Sequence, residues 1–527
     1  GVFNTVAAWN LHADNGDIPD IIEADDFRQL FRVIHFIQLW TSYHSDTAGY
    51  KVIVLEKTKT VGGGMLFAST MRTFGSEWQK KRDIPDLTAR YARKVLDECY
   101  WQLEPDLVTN ILKGTGEFFD WICEFCNFPE DMFTVGRYVF DDEETGQLGP
   151  QYGTQHNGFG RVVVETLYKM RSELGMEVCT EHKVVDAECE NGKITALIAE
   201  TPKGFVRVAC KACLLATGSW VNNRKYTEKI MPGFFDVDMG KSPHTNPAYT
   251  GDGIKIAEKA GAFVDYDSFC LRLMGPMYIV RNRTYSGMTV CPYSISVNLD
   301  GKRYASEPLI AHMDQFDGGA VVGRQPKGKV FAIFSENILA EALKLGDSAP
   351  YIPDPVLRGE KLPETIEEAH DDIEKALSEG LKNCFKADSL EALAEVLGVN
   401  KEGLLQTVET YNQYCQDGFD WGFYKPEDSL IPFTEGPYYA VSGFMATDGA
   451  FGGIKVNPNM QAYRSKNGGL VEGLYATGDF ASGRHISVGG VVKRQFINDM
   501  NWSLTGSYIV GDQVVKYLKS LNHCICD

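Results

Sequence analysis

The chain has 527 residues, of which 44% are hydrophobic and 23% charged, and its formal net charge is -19. This length predicts two or three globular domains, and this composition excludes a disordered chain. The acidic balance argues against nucleic acid or an anionic membrane as a partner, and no apolar run is long enough to predict a transmembrane span.

Cysteine usage and the first residues indicate a cytoplasmic protein. The first twenty residues contain Asp and Asn and no apolar core of a signal peptide. The 13 cysteines are scattered along a long chain, which fits a reducing compartment better than a disulfide framework. Two C-x-x-C pairs, Cys123/Cys126 and Cys210/Cys213, are better explained as packed thiols than as zinc or iron–sulfur ligands. We therefore predict no metal site.

In chain order, the first strong pattern is a β-branched strand at 52–55, followed by Glu56-Lys57 and the glycines 62–64. Such a strand delivers a carboxylate to the hydroxyls of a ribose, and glycines let the backbone approach a phosphate. The next predicted elements are a mostly helical stretch at 86–126, a helix at 160–175, a three-stranded meander within 183–209 and a strand that ends in the turn Ala216-Thr217-Gly218.

The pattern changes near residue 263. A hairpin is predicted from 294 to 304 around the turn 299–302, and helices are predicted at 364–381, 389–397 and 401–416. Gly398 is expected to end one helix and Asn400 to cap the next. Strand patterns return after Pro437, lead to the turn Thr477-Gly478-Asp479 and precede a final helix that ends near residue 517.

This alternation of strands and helices predicts an α/β protein with a doubly wound, Rossmann-like sheet. The nucleotide-binding domain is expected to comprise residues 46–262 and 435–527. Residues 263–434 form an inserted α+β capping domain in this scheme, and residues 1–45 form an atypical N-terminal segment. We expect the active site between the two domains.

Five segments in this order resemble the FAD-binding flavoproteins of the fumarate reductase/succinate dehydrogenase type. Soluble members include urocanate reductases and 3-ketosteroid dehydrogenases. The segments are residues 54–57, 250–255, 297–303, 452–457 and 473–479. The resemblance runs from about residue 49 to about residue 517. It implies an FAD cofactor in a glutathione-reductase-type domain.

The resemblance fails before residue 49. The family's first strand and its GxGxxG turn should lie there, yet residues 32–40 contain no glycine. Without those glycines the first helix cannot bring its N-terminal amides to the FAD pyrophosphate. Either this element is lost and flavin binds weakly or not at all, or the residues before about 46 are not the native ones, or the arrangement differs.

The resemblance also implies which residues contact FAD. Glu56 would hold the adenine-side ribose, Val184 would lie against adenine, and Asp479 would bind the ribityl or pyrophosphate region. The residues 487–491 are expected to begin the final helix, whose N-terminus would face the flavin. The full set is Glu56, Lys57, Gly62, Gly63, Gly64, Val184, Ala216, Thr217, Gly218, Asp252, Gly478, Asp479, Ser487, Val488, Gly489, Gly490 and Val491.

The substrate end departs from the family. Ala311 stands where the resemblance places a proton-donating arginine, and Gly449 also replaces a charged position. The catalytic candidates that remain are Arg484, His485, His312 and Arg494, because a histidine or arginine can donate a proton to substrate carbon. Each is otherwise explained as a solvated or salt-bridged side chain.

These observations predict an FAD-dependent oxidoreductase that reduces or desaturates a C=C bond conjugated to a carbonyl or carboxylate, through flavin N5. The alternative is a cofactor-poor or non-catalytic relative with a degenerate FAD site. The expected partners are a small unsaturated acid or enone, bulkier than fumarate, and a separate electron donor or carrier, since no second nucleotide fingerprint is present. Substrate identity, reaction direction and oligomeric state stay open.

Overall fold

The computed structural model describes residues 5–10, 51–63, 65, 70–128, 133–139, 148–154, 159–170, 177–236, 247–278, 280–307, 315–346, 361–488, 491–495, 497 and 499–523. Of the site residues named above, His312, Gly64, Gly489 and Gly490 lie outside these ranges. Ser487, Val488, Val491 and Arg494 are described only by their backbone.

Helices and strands alternate through these ranges. The helices are α1 (Glu77–Lys80), α2 (Thr88–Glu98), α3 (Pro105–Phe125), α4 (Phe159–Met170), α5 (Arg224–Ile230), α6 (Asp252–Lys259), α7 (Arg283–Val290), α8 (Gln315–Gly323), α9 (Glu336–Leu343), α10 (Ile366–Ser378), α11 (Leu390–Leu397), α12 (Lys401–Asp417) and α13 (Asp499–His523). None of the described helices combines the length and apolar character that a bilayer crossing requires.

The strands are β1 (Thr5–Asn10), β2 (Lys51–Glu56), β3 (Thr70–Arg72), β4 (Phe133–Val139), β5 (Leu148–Thr154), β6 (Glu177–Cys179), β7 (Lys183–Glu190), β8 (Lys193–Thr201), β9 (Gly204–Ala209), β10 (Ala212–Ala216), β11 (Cys270–Met277), β12 (Ile295–Asn298), β13 (Lys329–Ser335), β14 (Cys384–Ala387), β15 (Tyr438–Phe451), β16 (Ile454–Lys455), β17 (Gln461–Ser465), β18 (Gly468–Ala476), β19 (Ala481–Ser482), β20 (His485–Val488) and β21 (Val491–Gln495).

The chain divides into two compact units. The first unit comprises Gly1–Met231, Pro243–Leu271 and Gly449–Asp527. The second unit comprises Pro232–Ser242 and Arg272–Asp448. The inserted domain predicted from the sequence spans 263–434, and the boundary in the structure falls within β11 and within β15.

A six-stranded sheet in the order β17-β18-β10-β1-β2-β6 forms the centre of the first unit. β2 pairs in parallel with β6, and β10 pairs in parallel with β18. Every residue of β10 is buried, as are Val52, Val54 and Leu55 of β2. Such continuous apolar burial is typical of strands whose two faces are both covered. The predicted meander is present as the sheet β7-β8-β9.

The direction of β1 differs from that of the doubly wound sheet. β1 lies between β2 and β10 and runs antiparallel to both. Its last residue, Asn10, lies opposite Lys51, the first residue of β2. A short apolar strand can pair in either direction, because both ladders satisfy the backbone donors and acceptors. Asn10, the last residue of β1, therefore lies at the opposite edge of the sheet from the ends of β2 and β10.

In the second unit, antiparallel pairing joins β12 to β13, β13 to β15 and β14 to β15. The core between this sheet and its helices includes a stacked pair, Phe334 and Tyr439, whose ring centroids are 5.1 Å apart. Gly398 ends α11 with a φ of 68°, and the Asn400 side chain accepts a hydrogen bond from the Gly403 amide at 2.7 Å. Both predicted helix caps are thus confirmed.

A buried ionic cluster fixes one turn of the second unit, and we call it the Arg303 cluster: Arg303, Glu307, Asp420 and Lys425. Arg303 donates to both carboxylate oxygens of Glu307, at 2.8 and 2.7 Å, and to Asp420 at 2.8 Å. The side chains of all three are at most 5% exposed. Two charge-assisted bonds to one carboxylate form the bidentate geometry that suits a guanidinium.

One predicted element is shorter in the structure, and another is placed differently. The predicted hairpin around the turn 299–302 is present but short: Val297 and Arg303 form an antiparallel bridge, and the Asn298 amide donates to the Lys302 carbonyl at 2.9 Å. Its first strand, β12, also pairs with β13. The residues 487–491 do not begin the final helix, which starts at Asp499. Ser487 pairs with Val492, and Val488 pairs with Val491, in the hairpin β20–β21. Two runs rich in β-branched residues flank Gly489-Gly490, and this pattern is typical of a hairpin.

Candidate cofactor site

Three parallel strands of the first unit end at one edge of the central sheet. Thr5 of β1 lies opposite both Glu56 and Ala216, the last residues of β2 and β10. Leu215 of β10 lies opposite Ala476, the last residue of β18. We call this the carboxyl edge. In open α/β sheets, ligands bind outside the carboxyl ends of the strands.

Glu56 stands at this edge and is only 2% exposed to solvent. One carboxylate oxygen, Oε1, accepts hydrogen bonds from the Thr58 amide at 2.7 Å and from the Thr58 hydroxyl at 2.9 Å. The Glu56 carbonyl accepts from the His182 amide at 2.8 Å, which ties the end of β2 to the turn before β7. The carboxylate is therefore held in one orientation before any ligand arrives.

Lys57 and Asp252, both predicted to contact the cofactor, bind each other. Lys57 Nζ lies 2.7 Å from Asp252 Oδ2 and 2.8 Å from Thr250 Oγ1. The bridge joins the end of β2 to the start of α6. At that helix start a Cβ on Gly253 would lie 2.2 Å from Thr217 Oγ1, so the glycine allows close packing on the β10 turn. These two charged residues act here as a structural link.

Glycines with positive φ form the turns at the carboxyl edge. Gly218 follows β10 with a φ of 69°, and Gly478 follows β18 with a φ of 84°. A side chain at either position would strain the backbone. The Trp502 indole donates to the Gly478 carbonyl at 3.1 Å, which ties α13 to this turn. Gly62 and Gly63 also have positive φ, at 108° and 48°.

Next to the Gly478 turn lies a second buried ionic group, the Arg484 cluster: Arg484, Asp479, Asp499 and Phe451. The side chains of Arg484 and Asp479 are 0% exposed, and that of Asp499 is 21% exposed. Arg484 donates to Asp499 at 2.5 Å and to Asp479 at 3.4 Å. Its guanidinium lies 4.2 Å from the centroid of the Phe451 ring. Two predicted site residues, Arg484 and Asp479, are thus brought together.

His485 is buried beside this cluster. Its Nε2 lies 3.0 Å from the Ser268 carbonyl oxygen, which can only accept, so Nε2 carries the proton. Burial, together with the positive charge of Arg484, lowers the pKa of His485 to about 4. The neutral ring then presents Nδ1 as an acceptor, and this atom has no hydrogen-bond partner among the described residues.

An open pocket of about 430 Å³ lies beyond the end of β2, next to the sheet β7-β8-β9. Val184, predicted to lie against adenine, is buried on β7 opposite Ala199. The pocket is lined by Lys57, Thr58, Lys59, Glu181, Lys183, Glu200, Thr201 and Pro202. Sequence reasoning missed most of these residues, because only the fold brings the segments after β2 and β6 together with the start of β7 and the end of β8.

The described residues of the carboxyl edge fit FAD at several points. Glu56 offers a buried carboxylate for a ribose, and the glycine turns let a ligand approach the backbone. The Ser503 hydroxyl on α13 is buried, has no hydrogen-bond partner among the described residues and faces Gly478, 3.8 Å from where a Cβ would stand. The helix N-terminus that commonly binds a pyrophosphate after the first strand is not among the described residues.

Comparison with known proteins agrees with this geometry. The family FAD_binding_2, described as FAD binding domain, matches residues 39–490. Vinyl phenol reductase of Lactiplantibacillus plantarum is 25% identical over 455 residues, which cover 82% of this chain and 86% of that protein. The 3-oxosteroid 1-dehydrogenase of Mycolicibacterium smegmatis is 26% identical in an alignment that covers 82% of this chain and 88% of that protein.

The fold has a solved counterpart. The open conformation of a flavocytochrome c3 fumarate reductase superimposes with a TM-score of 0.62 at 21% identity, over 92% of this chain and 77% of that chain. This likeness confirms the predicted α/β class with a capping domain.

Proposed function

The chain belongs to the FAD_binding_2 family, and from this premise we propose that it reduces a C=C bond conjugated to a carbonyl, carboxylate or aromatic ring. The predicted FAD cofactor and the predicted class, an FAD-dependent oxidoreductase, are confirmed by the family and the relatives. The bond on which the enzyme acts is the proposal.

The names of the relatives support this bond type. A vinyl phenol carries a C=C bond conjugated to an aromatic ring. A 1-dehydrogenase of a 3-oxosteroid forms a C=C bond conjugated to the oxo group. Both relatives are matched over more than four fifths of their length, so the correspondence extends beyond the nucleotide-binding part.

The observation that carries the proposal is the carboxyl edge, where Glu56 and the turns at Gly218 and Gly478 stand together. We infer that Glu56 holds the ribose, that these turns admit the ligand backbone, and that the Ser503 hydroxyl donates to the sugar chain or a phosphate. When bound and reduced by the electron donor, FAD would supply the hydride through its N5 atom. A proton must then reach the neighbouring carbon from the protein or from water.

The residues around His485 limit which group can give that proton. At neutral pH the low pKa of His485 leaves its ring without a second proton, and the proton that it has is directed at the Ser268 carbonyl. We therefore infer that His485 accepts a hydrogen bond through Nδ1 and does not donate the proton. Among the original candidates, Arg494 and His312 stay as proposed donors.

The proposed substrate has at most one carboxylate or carbonyl beside its C=C bond and is bulkier than fumarate. Gly449 has a φ of 154°, and the nearest atom to a Cβ there is the Ser219 hydroxyl at 3.4 Å, so no cationic side chain occupies this position. A dicarboxylate needs two cationic clamps, and Gly449 cannot supply one of them. We also propose that electrons come from a separate carrier.

The test is a panel of acceptors with a reduced viologen as the electron donor. The panel contains fumarate, urocanate, aryl acrylates, vinyl phenols and 3-ketosteroids, with saturated analogues as matched controls. We expect turnover of at least one aryl acrylate, vinyl phenol or ketosteroid, and slow or absent turnover of fumarate. Rapid turnover of fumarate alone would show that the substrate assignment is wrong.

A further inference from the structure

We propose that Arg484 is a positioning residue, which holds Asp479 and the start of α13 in place for FAD and does not itself touch the substrate. The proposal rests on the FAD site described above and assigns to Arg484 a role different from proton donation. This role concerns the residues around the Gly478 turn, so FAD affinity can test it without knowledge of the substrate.

Arg484 connects three separated parts of the first unit. Its partners are Asp479, three residues after β18, Asp499, the first residue of α13, and Phe451, the last residue of β15. The Gly452 amide also donates to the Asp479 carbonyl at 3.0 Å. One guanidinium therefore links the turn after β18 to the helix that follows the hairpin β20–β21.

Burial makes this link stiff. The guanidinium is 0% exposed, and two of its nitrogens, Nη1 and Nη2, each face a different carboxylate. A planar guanidinium with a fixed set of donors holds two acceptors at defined angles, which the single point charge of a lysine cannot do. The Phe451 ring below the guanidinium fixes its plane.

The same geometry argues against proton donation. An arginine that gives a proton to substrate carbon must reach the substrate and must tolerate a neutral state. Arg484 lies between two carboxylates in a buried environment, and both carboxylates favour its charged form. Its position instead lets it set the orientation of Asp479, which the sequence resemblance assigns to the ribityl or pyrophosphate region.

His485 gives this role an independent readout. The positive charge of Arg484 is one of the two main causes that lower the pKa of His485, the other being burial. Removal of that charge should raise the pKa of His485 towards its ordinary value, although burial keeps it low in part. A histidine NMR titration measures this shift directly, with His485→Gln used to assign the signal.

The test compares Arg484→Met and Arg484→Lys with the unaltered holoprotein. The matched control is Arg303→Met, since Arg303 is an equally buried arginine with two carboxylates and aromatic neighbours in the other unit. The readouts are the dissociation constant of FAD, from flavin fluorescence on dilution, the thermal midpoint, and the turnover per bound flavin. Asp499→Asn provides a milder variant if Arg484→Met does not fold.

We expect Arg484→Met to weaken FAD binding about tenfold or more, with Arg484→Lys intermediate and Arg303→Met unchanged in FAD affinity. Turnover per bound flavin should stay within about threefold, because the residue does not contact the reacting atoms. Asp499→Asn should weaken FAD binding by a smaller factor.

Three results would overturn the proposal. Unchanged FAD affinity with turnover per bound flavin reduced about a hundredfold would make Arg484 a catalytic residue. Equal loss of FAD from Arg303→Met and Arg484→Met would show a general effect of destabilisation. Unchanged FAD affinity and turnover would leave Arg484 with a purely structural role. If no member of the acceptor panel is reduced by any variant, the proposed substrate class fails, while the FAD affinities still decide the role of Arg484.

Discussion

The two units each bury an arginine between two carboxylates, and the two clusters differ in how well these bonds are made. In the Arg303 cluster the three contacts to Glu307 and Asp420 measure 2.7–2.8 Å, and Asp420 also accepts from the amides of Gly422 and Phe423. In the Arg484 cluster the contact to Asp479 is 3.4 Å and Asp499 is partly exposed. In the second unit, Arg303 thus joins Glu307 to the turn that begins at Asp420.

The looser cluster stands at the carboxyl edge, beside the Gly478 turn, where we propose that FAD binds. Strained backbone and incompletely satisfied polar groups collect at functional sites, because a ligand completes them. The buried Ser503 hydroxyl and the His485 Nδ1 atom lie in the same first unit and have no hydrogen-bond partner among the described residues. Similar residue types therefore serve stability in one unit and, by our proposal, cofactor positioning in the other.

The largest expected effect concerns the tight cluster. Arg303→Met leaves Glu307 and Asp420 buried without their main counter-charge, so the free energy of unfolding should fall by about 3–5 kcal/mol. Denaturant unfolding of the purified variant measures the change. Arg303→Lys should recover part of the loss. A change below about 1 kcal/mol would mean that the cluster does not hold the second unit together.

Next to the Arg484 cluster, His485 should make stability depend on pH on the acid side. Its pKa is lowered from 6.5 to about 4 in the folded chain, so the unfolded chain binds the proton first as the pH falls. Stability is therefore fully present above pH 6.5 and is lost between 6.5 and about 4, by about 3 kcal/mol in total. His485→Gln keeps an N–H donor for Ser268 but does not titrate, so its unfolding curve should lack this component.

Glu56 offers a direct comparison at the carboxyl edge. Glu56→Ala removes the carboxylate that we place on the ribose, and the loss of two charge-assisted hydrogen bonds should weaken FAD binding about a hundredfold or more. Thr58→Ala is the matched control, since it removes one hydrogen bond to Glu56 Oε1 and leaves the carboxylate in place. Unchanged FAD affinity in Glu56→Ala would show that the ribose is bound elsewhere.

A further pH dependence is expected on the alkaline side, in the second unit. Burial, with the positive charge of Arg303, lowers the pKa of Lys425 from 10.5 to about 8 despite the attraction of Glu307. The unfolded chain binds this proton more tightly, so stability should rise between pH 8 and 10.5, by about 3 kcal/mol. Lys425→Met should abolish that rise. An equal rise in both proteins would assign the pH dependence to other groups.

Local signals predicted much of the molecule. Glu56 at the end of a β-branched run, the helix stop at Gly398 and the cap at Asn400 each follow from a few neighbouring residues. The start of the final helix could not be predicted from neighbouring residues. The residues on either side of the two glycines pair in a hairpin instead, Ser487 with Val492 and Val488 with Val491. The resemblance led us to place the start of the helix where the family has it. In this chain the local β-branched residues favour strands at that position, so the helix begins later.

Other features depend on contacts between distant residues. The antiparallel direction of β1 depends on pairing with strands about 50 and 210 residues further along the chain, and its composition suits either direction. Lys57 and Asp252 are 195 residues apart in the sequence, and only the fold brings their side chains within 2.7 Å of each other. The partnership of Arg484 with Asp499 depends in the same way on the hairpin that separates them.

The central claim is that this chain binds FAD and passes electrons from it to a conjugated C=C bond. The most direct measurement is a single turnover: the purified holoprotein is reduced anaerobically and mixed with an aryl acrylate, a vinyl phenol or a 3-keto-enone steroid. We predict that the flavin absorbance at about 450 nm returns with at least one of these compounds and not with its saturated analogue. A protein that takes up no FAD, or a reduced flavin that none of the compounds reoxidises, would contradict the account.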